Sequence, residues 1–267
     1  MNCGLLTRGE PMMRFGLTTE QVGGLTDLVS PCFLITHPKG TILWDTGMVP
    51  DRLVKPGGNA TIVGNTANWT AEQVYKTPAD TIGPTIVFHS LKEQLADIGY
   101  KPADITYLIL SHSHIDHVAN ANDYAGSTWI VQKAERDFMF TDEARKTPWF
   151  GNYNKLEQAK TVELNGDHDV FGDGTVLIKS TPGHTPGHQS VFLKLKKTGT
   201  VFITGDLYHY EAGRELNIVP PGRDDVAVTK TSRARMEKLI KEMHAQVWIQ
   251  HSLRHFLVMK HSPAYYE

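Results

Sequence analysis

The stretch that most restricts what this chain can become is Ser111-His112-Ser113-His114-Ile115-Asp116-His117, which directly follows an apolar run over 105–110. Residues two apart on an extended segment point to the same side, so His112 and His114 present two imidazoles to one ion. Asp116 and His117 then face a neighbouring point. An open zinc site takes about three protein groups plus a water, and this cluster offers more donors in more directions than one such site uses. A second metal is implied. A His-x-His pair alone is a weak signal, because paired histidines on a loop are commonly surface residues. Three further donors at the ends of β-like runs strengthen it: His184 in Ser180-Thr181-Pro182-Gly183-His184, Asp206 in Phe202-Ile203-Thr204-Gly205-Asp206, and His251 in Val247-Trp248-Ile249-Gln250-His251.

Length and charge exclude several kinds of partner. The 267 residues, 40% of them hydrophobic, suffice for one large domain or two small ones with a sizeable core. A formal net charge of −2 and a pI near 6.7 give no electrostatic reason to expect nucleic acid, an anionic membrane or a polyanionic substrate. There is no apolar run of about eighteen residues, so no transmembrane helix is expected. The chain opens on Met1-Asn2-Cys3-Gly4-Leu5-Leu6 as if inside a strand. The compartment is therefore left open: cytoplasmic by default, exported if an upstream signal has been removed. Cys3 and Cys32 form no Cys-x-x-Cys and are expected as free thiols.

Along the chain, residues 7–24 read as a long loop made apolar by Met12, Met13, Phe15 and Leu17, suited to a lid or to capping a core edge. The runs 28–36 and 41–44 flank His37-Pro38-Lys39-Gly40, a turn, and form a hairpin that ends in Asp45-Thr46-Gly47. The polar stretch 50–80 allows one short helix at 70–76. Ile86, Val87, Leu91, Leu95 and Ile98 recur at helical spacing before Gly99, so 84–98 reads as an amphipathic helix with His89 an ordinary residue on it. A strand at 128–132, a helix at 134–140 and an aromatic loop at 149–153 follow. Strands are expected at 161–164, 169–171, 176–180, 190–195 and 201–204, with His168 in a solvated turn. A charged helix over 233–243 then feeds a strand at 246–249.

The chain carries a faint internal repeat. Gly40-Thr41-Ile42-Leu43-Trp44-Asp45 echoes Gly199-Thr200-Val201-Phe202-Ile203-Thr204-Gly205-Asp206, each a turn, a strand and then an acid. Later in each half a helix leads to a strand that ends in His112 or His251. Two such halves with their strand ends together collect every donor in one cleft. The expected fold is α/β, a four-layer αββα sandwich of two mixed sheets, forming a single domain over 1–267.

The pattern His-x-His-x-Asp-His, followed by a strand-end His, a Gly-Asp and a final His, resembles the metallo-β-lactamase superfamily across nearly the whole chain, from Asp45 to His251. The resemblance implies one metal on His112, His114 and His184, a second on Asp116, His117 and His251, and Asp206 bridging both. Asp45 then stands behind a ligand imidazole and orients it. Zinc suits these donors, and cobalt, manganese or iron fit the same set. Two divalent ions about 3.5–4 Å apart share one water, bring its pKa toward neutrality and hold the hydroxide between them. One ion polarises the substrate carbonyl, and Asp116 is the expected proton shuttle to the leaving group.

Within the superfamily, His117 directly after Asp116 argues against the common zinc-dependent β-lactamases, and His114 argues against the oxygen-reducing di-iron branch. The segment Thr204-Gly205-Asp206-Leu207-Tyr208-His209-Tyr210, with Asp45-Thr46-Gly47-Met48 and Trp248-Ile249-Gln250-His251, is similar to quorum-quenching N-acyl-homoserine lactone hydrolases. That likeness implies ring opening of a small lactone whose acyl chain lies along the N-terminal loop and Ile218, Val219, Pro220 and Pro221. One position departs from the pattern. Many of those lactonases have Tyr three residues after the bridging Asp, where this chain has His209. Either His209 polarises the carbonyl, or Tyr208 or Tyr210 does, or His209 is a passive wall residue. The alternatives are another lactonase or esterase, a glyoxalase II-type thioesterase, and a binding scaffold stabilised by its metals. For the thioesterase, only Arg233, Arg235 and Lys238 are candidates to bind the glutathione carboxylates. A homodimer is left open.

Overall fold

The structure, a computed structural model, describes residues 1–6, 12–54, 60–63, 84–87 and 89–267. The chain starts with β1 (Asn2–Leu6), a 3-10 turn at Met12–Phe15, β2 (Leu28–Pro31), β3 (Phe33–His37) and β4 (Gly40–Trp44). Next come β5 (Ala60–Val63), β6 (Pro84–Val87), α1 (Leu91–Ala96), β7 (Tyr107–Ile109), α2 (Ile115–Val118), β8 (Thr128–Gln132), α3 (Lys133–Met139), α4 (Asp142–Arg145) and β9 (Thr161–Leu164). The remainder runs β10 (His168–Asp169), β11 (Val176–Ser180), β12 (Gln189–Leu195), β13 (Gly199–Ile203), α5 (Glu211–Glu215), α6 (Val226–Glu242), β14 (Gln246–Trp248) and α7 (Leu253–Val258).

Two five-stranded sheets, in the orders β3-β4-β7-β8-β9 and β10-β11-β12-β13-β14, carry the molecule. Alternation along their strands builds the layers. Ile42 and Trp44 of β4, Ile109 of β7 and Ile130 of β8 turn to one side and meet Ile178, Val191, Val201 and Ile203 of the other sheet. Their neighbours Leu43, Leu108, Trp129 and Val131 turn the opposite way and pack with Leu91 and Leu95 of α1 and Met139 of α3. Phe192 and Phe202 cover the outer side of the second sheet beneath Met236 and Ile240 of α6. Each fully buried side chain of this size contributes about 1.5–3 kcal/mol, so both faces of both sheets are committed. The result is the αββα sandwich the sequence implied.

The internal repeat is structural as well. β4 runs parallel to β7 with Trp44 opposite Ile109, and β13 runs parallel to β14 with Ile203 opposite Trp248. In each half the strand followed by an acid lies beside the strand followed by a histidine. All four chain segments leave their strands at the same end.

Several expectations need correction. Residues 84–98 are not one helix: Pro84–Val87 is a strand antiparallel to β1 and β5, and only Leu91–Ala96 is helical. The β-branched run Thr85-Ile86-Val87 favours a pleated strand, and Ser90 with Glu93 forms a capping box that starts the helix afresh. His89 accordingly lies in an exposed bend rather than on a helix. The helix expected at 70–76 lies outside the described residues. His168 opens β10 instead of sitting in a turn. The helix of the second half begins at Val226, where Asp225 caps the amides of Ala227 and Val228, seven residues ahead of the expected start at Arg233. Finally, Cys3 and Cys32 are not free thiols but a disulfide, with Cα atoms 5.9 Å apart. The cause is a third sheet, in the order β2-β1-β6-β5, in which β1 pairs with β2 and lays Asn2 opposite Pro31.

Candidate metal centre

Four of the predicted donors stand just beyond the ends of strands. β7 leads into Ser111 and His112, β11 into the turn that carries His184, β13 into Asp206, and β14 into His251. His114 occupies the extended position before α2 (φ −67°, ψ 154°), and Asp116 and His117 lie in its single helical turn. The change from extended chain to helix at this point is what divides the cluster between two targets.

The structure brings the predicted residues into two adjoining groups: His112, His114, His184 and Asp206 in one, and Asp116, His117 and His251 in the other. In the first, Nδ1 of His114 lies 2.9 Å from Nε2 of His112 and 2.9 Å from Nε2 of His184. In the second, the Nε2 atoms of His117 and His251 are 3.2 Å apart, and Oδ2 of Asp116 is 3.5 Å from the latter. Asp206 serves both. Its Oδ2 stands 3.1 Å from His184, and its Oδ1 stands 2.9 Å from His251 and 3.2 Å from His117.

The far side of each ring shows what the near side offers. Nδ1 of His251 donates to the backbone carbonyl of Val29 at 2.7 Å, which fixes the ring with its Nε2 toward Asp206. Nδ1 of His117 meets Asp45 at 2.8 Å, and Nδ1 of His184 meets Asp224 at 2.9 Å. Consistent with this, Oδ1 of Asp206 is buried and accepts no hydrogen bond, although two imidazole nitrogens adjoin it. Imidazoles and a carboxylate converging in a buried place are a fit surrounding for a cation, and nitrogen and oxygen donors in this number suit two zinc-like ions.

Electrostatics agree. Burial, together with the charge of His184, holds the His114 imidazole down at about 3, leaving it neutral and ready to bind an ion. Burial likewise pulls on His184, but Asp206 and Asp224 overcome it and lift that ring to about 9. Burial alone would raise Asp206, yet His251, His117 and His112 together keep its carboxyl far below the usual range. The carboxylates that attract a proton to these rings attract a metal cation by the same field.

Several residues that shape the centre escaped the sequence reading. Glu135, buried in α3, accepts from the Ser113 amide at 2.8 Å, the Thr185 hydroxyl at 2.7 Å and the Gly187 amide at 3.0 Å. It ties the loop of His112 and His114 to the loop of His184. His188 donates from Nδ1 to the Thr181 carbonyl at 3.0 Å and accepts the Asp206 amide at Nε2 at 2.8 Å, which fixes the backbone of the shared carboxylate. Asp45, whose position behind an imidazole the resemblance implied, also accepts from the Ser111 amide at 2.6 Å and from Gln250 at 2.6 Å. The pattern Gly-His-Thr-Pro-Gly-His at 183–188 was the available sign of His188. Nothing local marked Glu135 or Asp224.

A family model described as the metallo-beta-lactamase superfamily matches residues 25–240. The chain belongs to the metallo-β-lactamase superfamily. It is 31% identical over 249 residues to an N-acyl homoserine lactonase from Bacillus sp., a match covering 93% of this chain and 91% of that relative. It is 28% identical over 248 residues to the N-acyl homoserine lactonase AttM of Azorhizobium caulinodans, covering 89% of this chain and 87% of that one. In fold it matches an N-acyl homoserine lactone hydrolase solved with the product N-hexanoyl-L-homoserine at its catalytic metal center. That match has a TM-score of 0.73 at 23% identity and covers 100% of this chain and 97% of the other. The protein is thus a metal-dependent hydrolase of this superfamily.

In this superfamily member the two donor groups open onto a cleft of about 240 Å³ whose apolar walls are Leu6, Phe15, Leu28, Met48, Ile115 and Trp149. Phe15 places the N-terminal loop at the cleft, as expected. Ile218, Val219, Pro220 and Pro221 do not line it, and Ile218 packs instead under Gly16 and into the cluster around Phe15. Asp116 is the most open of the carboxylates, its side chain 19% exposed against 4% for Asp206. His209 lines the cleft with Nε2 3.1 Å from Oδ2 of Asp206, its ring lying against Phe15 and its buried Nδ1 without a hydrogen-bond partner among the described residues. The two neighbouring tyrosines point elsewhere. Tyr208 donates to Glu237 at 2.8 Å and Tyr210 donates to the Thr26 carbonyl at 2.8 Å.

Proposed function

We propose that the protein opens the lactone ring of N-acyl-homoserine lactones, a quorum-quenching activity, at a dinuclear zinc centre. The observation that carries this reading is the joining of two donor groups through the two oxygens of Asp206 at the floor of an apolar cleft. The named activity of its relatives supports it. His112, His114 and His184 would hold one ion and Asp116, His117 and His251 the other, with Asp206 shared. When bound, such a pair supplies a water-derived nucleophile shared between the ions at neutral pH and polarises an ester carbonyl.

The chain's own residues supply the rest. Ring opening adds water across the acyl C–O bond, so one proton must travel from the attacking water to the departing alkoxide. Asp116, beside His117 and His251 and open to the cleft, is placed to carry it. His209 lines the cleft whereas Tyr208 and Tyr210 are committed elsewhere, and we assign it the hydrogen bond to the substrate carbonyl. Phe15, Leu28, Met48 and Ile115 receive the acyl chain, excluding water around the reacting ester. The released carboxylate forms in a cleft that also carries Arg14 and Arg223.

Arg233, Arg235 and Lys238, the basic residues named for the thioesterase alternative, do not line the cleft. Arg233 is buried against the ring of Tyr208 and donates to the carbonyls of Leu207 and Ile218, while Arg235 pairs with Asp167. The Cys3–Cys32 disulfide supports the exported alternative for the compartment, because such bonds persist in oxidising surroundings. The decisive experiment is a hydrolysis panel of homoserine lactones with short and long acyl chains, set beside S-lactoylglutathione. Turnover of the thioester with none of any lactone would refute the reading.

A further inference from the structure

The disulfide joins the two pieces of chain that hold the second donor group. On one side, Cys3 backs onto Gly47: its carbonyl accepts the Met48 amide at 3.1 Å, and a Cβ on Gly47 would fall 2.5 Å from Cβ of Cys3. One residue earlier, the amide and hydroxyl of Thr46 both bond the backbone carbonyl of His117, at 2.8 and 3.0 Å. Next to it, Asp45 bonds the ring of His117. On the other side, Cys32 ends the β2 segment. There the Pro31 carbonyl accepts from Gln250, and the Val29 carbonyl fixes Nδ1 of His251.

The disulfide therefore ties the platform of His117 to the platform of His251. The link to the first group is less direct: Asp45 holds the amide and hydroxyl of Ser111, and that hydroxyl meets Nδ1 of His112 at 3.1 Å. The loop of His114 and the ring of His184 have braces of their own in Glu135 and Asp224, on α3 and just ahead of α6, and neither carboxylate bonds β1 or β2 among the described residues. The bond is also well placed to act stiffly, since Cys3 is 4% and Cys32 0% exposed.

We infer that the Cys3–Cys32 disulfide is a positioning element for the second metal, setting the spacing of His117 and His251, while the three-histidine group is held chiefly by Glu135 and Asp224. This rests on the two-ion reading above. It assigns the disulfide a selective task, distinct from the general stabilisation that any cross-link gives.

The test uses the full chain stripped of metal and titrated with cobalt(II) alone, following the visible spectrum so that each ion is read separately. Wild type is compared with Cys3→Ala/Cys32→Ala and with Ile178→Ala, a cavity between the sheets that lowers Tm without touching either group. The expected result is two ions in wild type and in Ile178→Ala. In the cysteine variant the second ion should bind about 10–100-fold more weakly, with the first unchanged, the range seen when outer supports of a ligand are removed. Unchanged binding of both ions in the cysteine variant overturns the inference, as does equal weakening of both, or loss of the second ion in Ile178→Ala as well. A single ion in wild type removes the two-ion reading and this inference with it. Should the cysteine variant fail to fold, Gly47→Ala keeps the bond but presses a methyl onto Cys3. It must weaken the second ion selectively or the inference falls.

Discussion

The carboxylate of Asp45 meets Nδ1 of His117 at 2.8 Å, across 72 residues of sequence. Asp45 does so from a left-handed backbone, φ +57°, which costs an L-residue about 1–2 kcal/mol. The same carboxylate takes the Ser111 amide and Gln250, so one strained residue at the end of β4 fixes the ends of β7 and β14 together. Asp206 differs in kind. It faces both donor groups itself, with one oxygen toward each.

That difference predicts an order of damage. Asp206→Ala should lose turnover and fail to retain two ions. Asp45→Ala should keep the ion on the three-histidine group and bind the second about 10–100-fold more weakly. Metal analysis beside turnover numbers checks it, and equal behaviour of the two variants contradicts the assignment.

Metal removal should abolish hydrolysis. Wild type should carry close to two ions per chain, lose lactonase activity on prolonged chelation, regain it with zinc, and melt at lower temperature when stripped, because bound metal stabilises only the folded state. Fully active protein with one ion or fewer sinks the dinuclear reading.

His209 is the least constrained of the proposed catalytic residues. If its ring polarises the scissile carbonyl, it acts mostly where negative charge develops, and removing one such donor costs on the order of 10²–10³ in rate. His209→Phe should then turn over slowly and His209→Tyr should retain much of the activity, both still holding two metals. A wall residue would instead change KM and acyl-chain preference with kcat untouched. Steady-state kinetics of the two variants on one lactone separate these outcomes.

Gly187→Ala tests the brace beneath the first group. An added Cβ would fall 2.2 Å from the Glu135 amide nitrogen, a backbone atom that cannot swing aside. Overpacking of this kind costs about 1–3 kcal/mol. We expect a lower Tm and weaker retention of the first ion; a variant as stable as wild type would show that the loop yields without consequence.

The sequence by itself determined which candidate donors would be brought together, and the layers. His112, His114, Asp116 and His117 were legible because a tight cluster of ligand types has few other uses. Ile42 against Leu43 and Val201 against Phe202 were legible because a strand's period of two assigns each neighbour to a layer. What supports the donors was not legible. Glu135, His188, Asp224 and Gln250 act through hydrogen bonds to other segments of the chain, and a lone buried polar residue carries no local pattern. The strand at Pro84–Val87 was misread because four residues fit a helical period as well as a pleat, and only pairing with β1 and β5 chose between them. Cys3 and Cys32 became a disulfide by the same route: spacing in sequence says nothing about distance until β1 lies beside β2, and that pairing is a property of the assembled sheet.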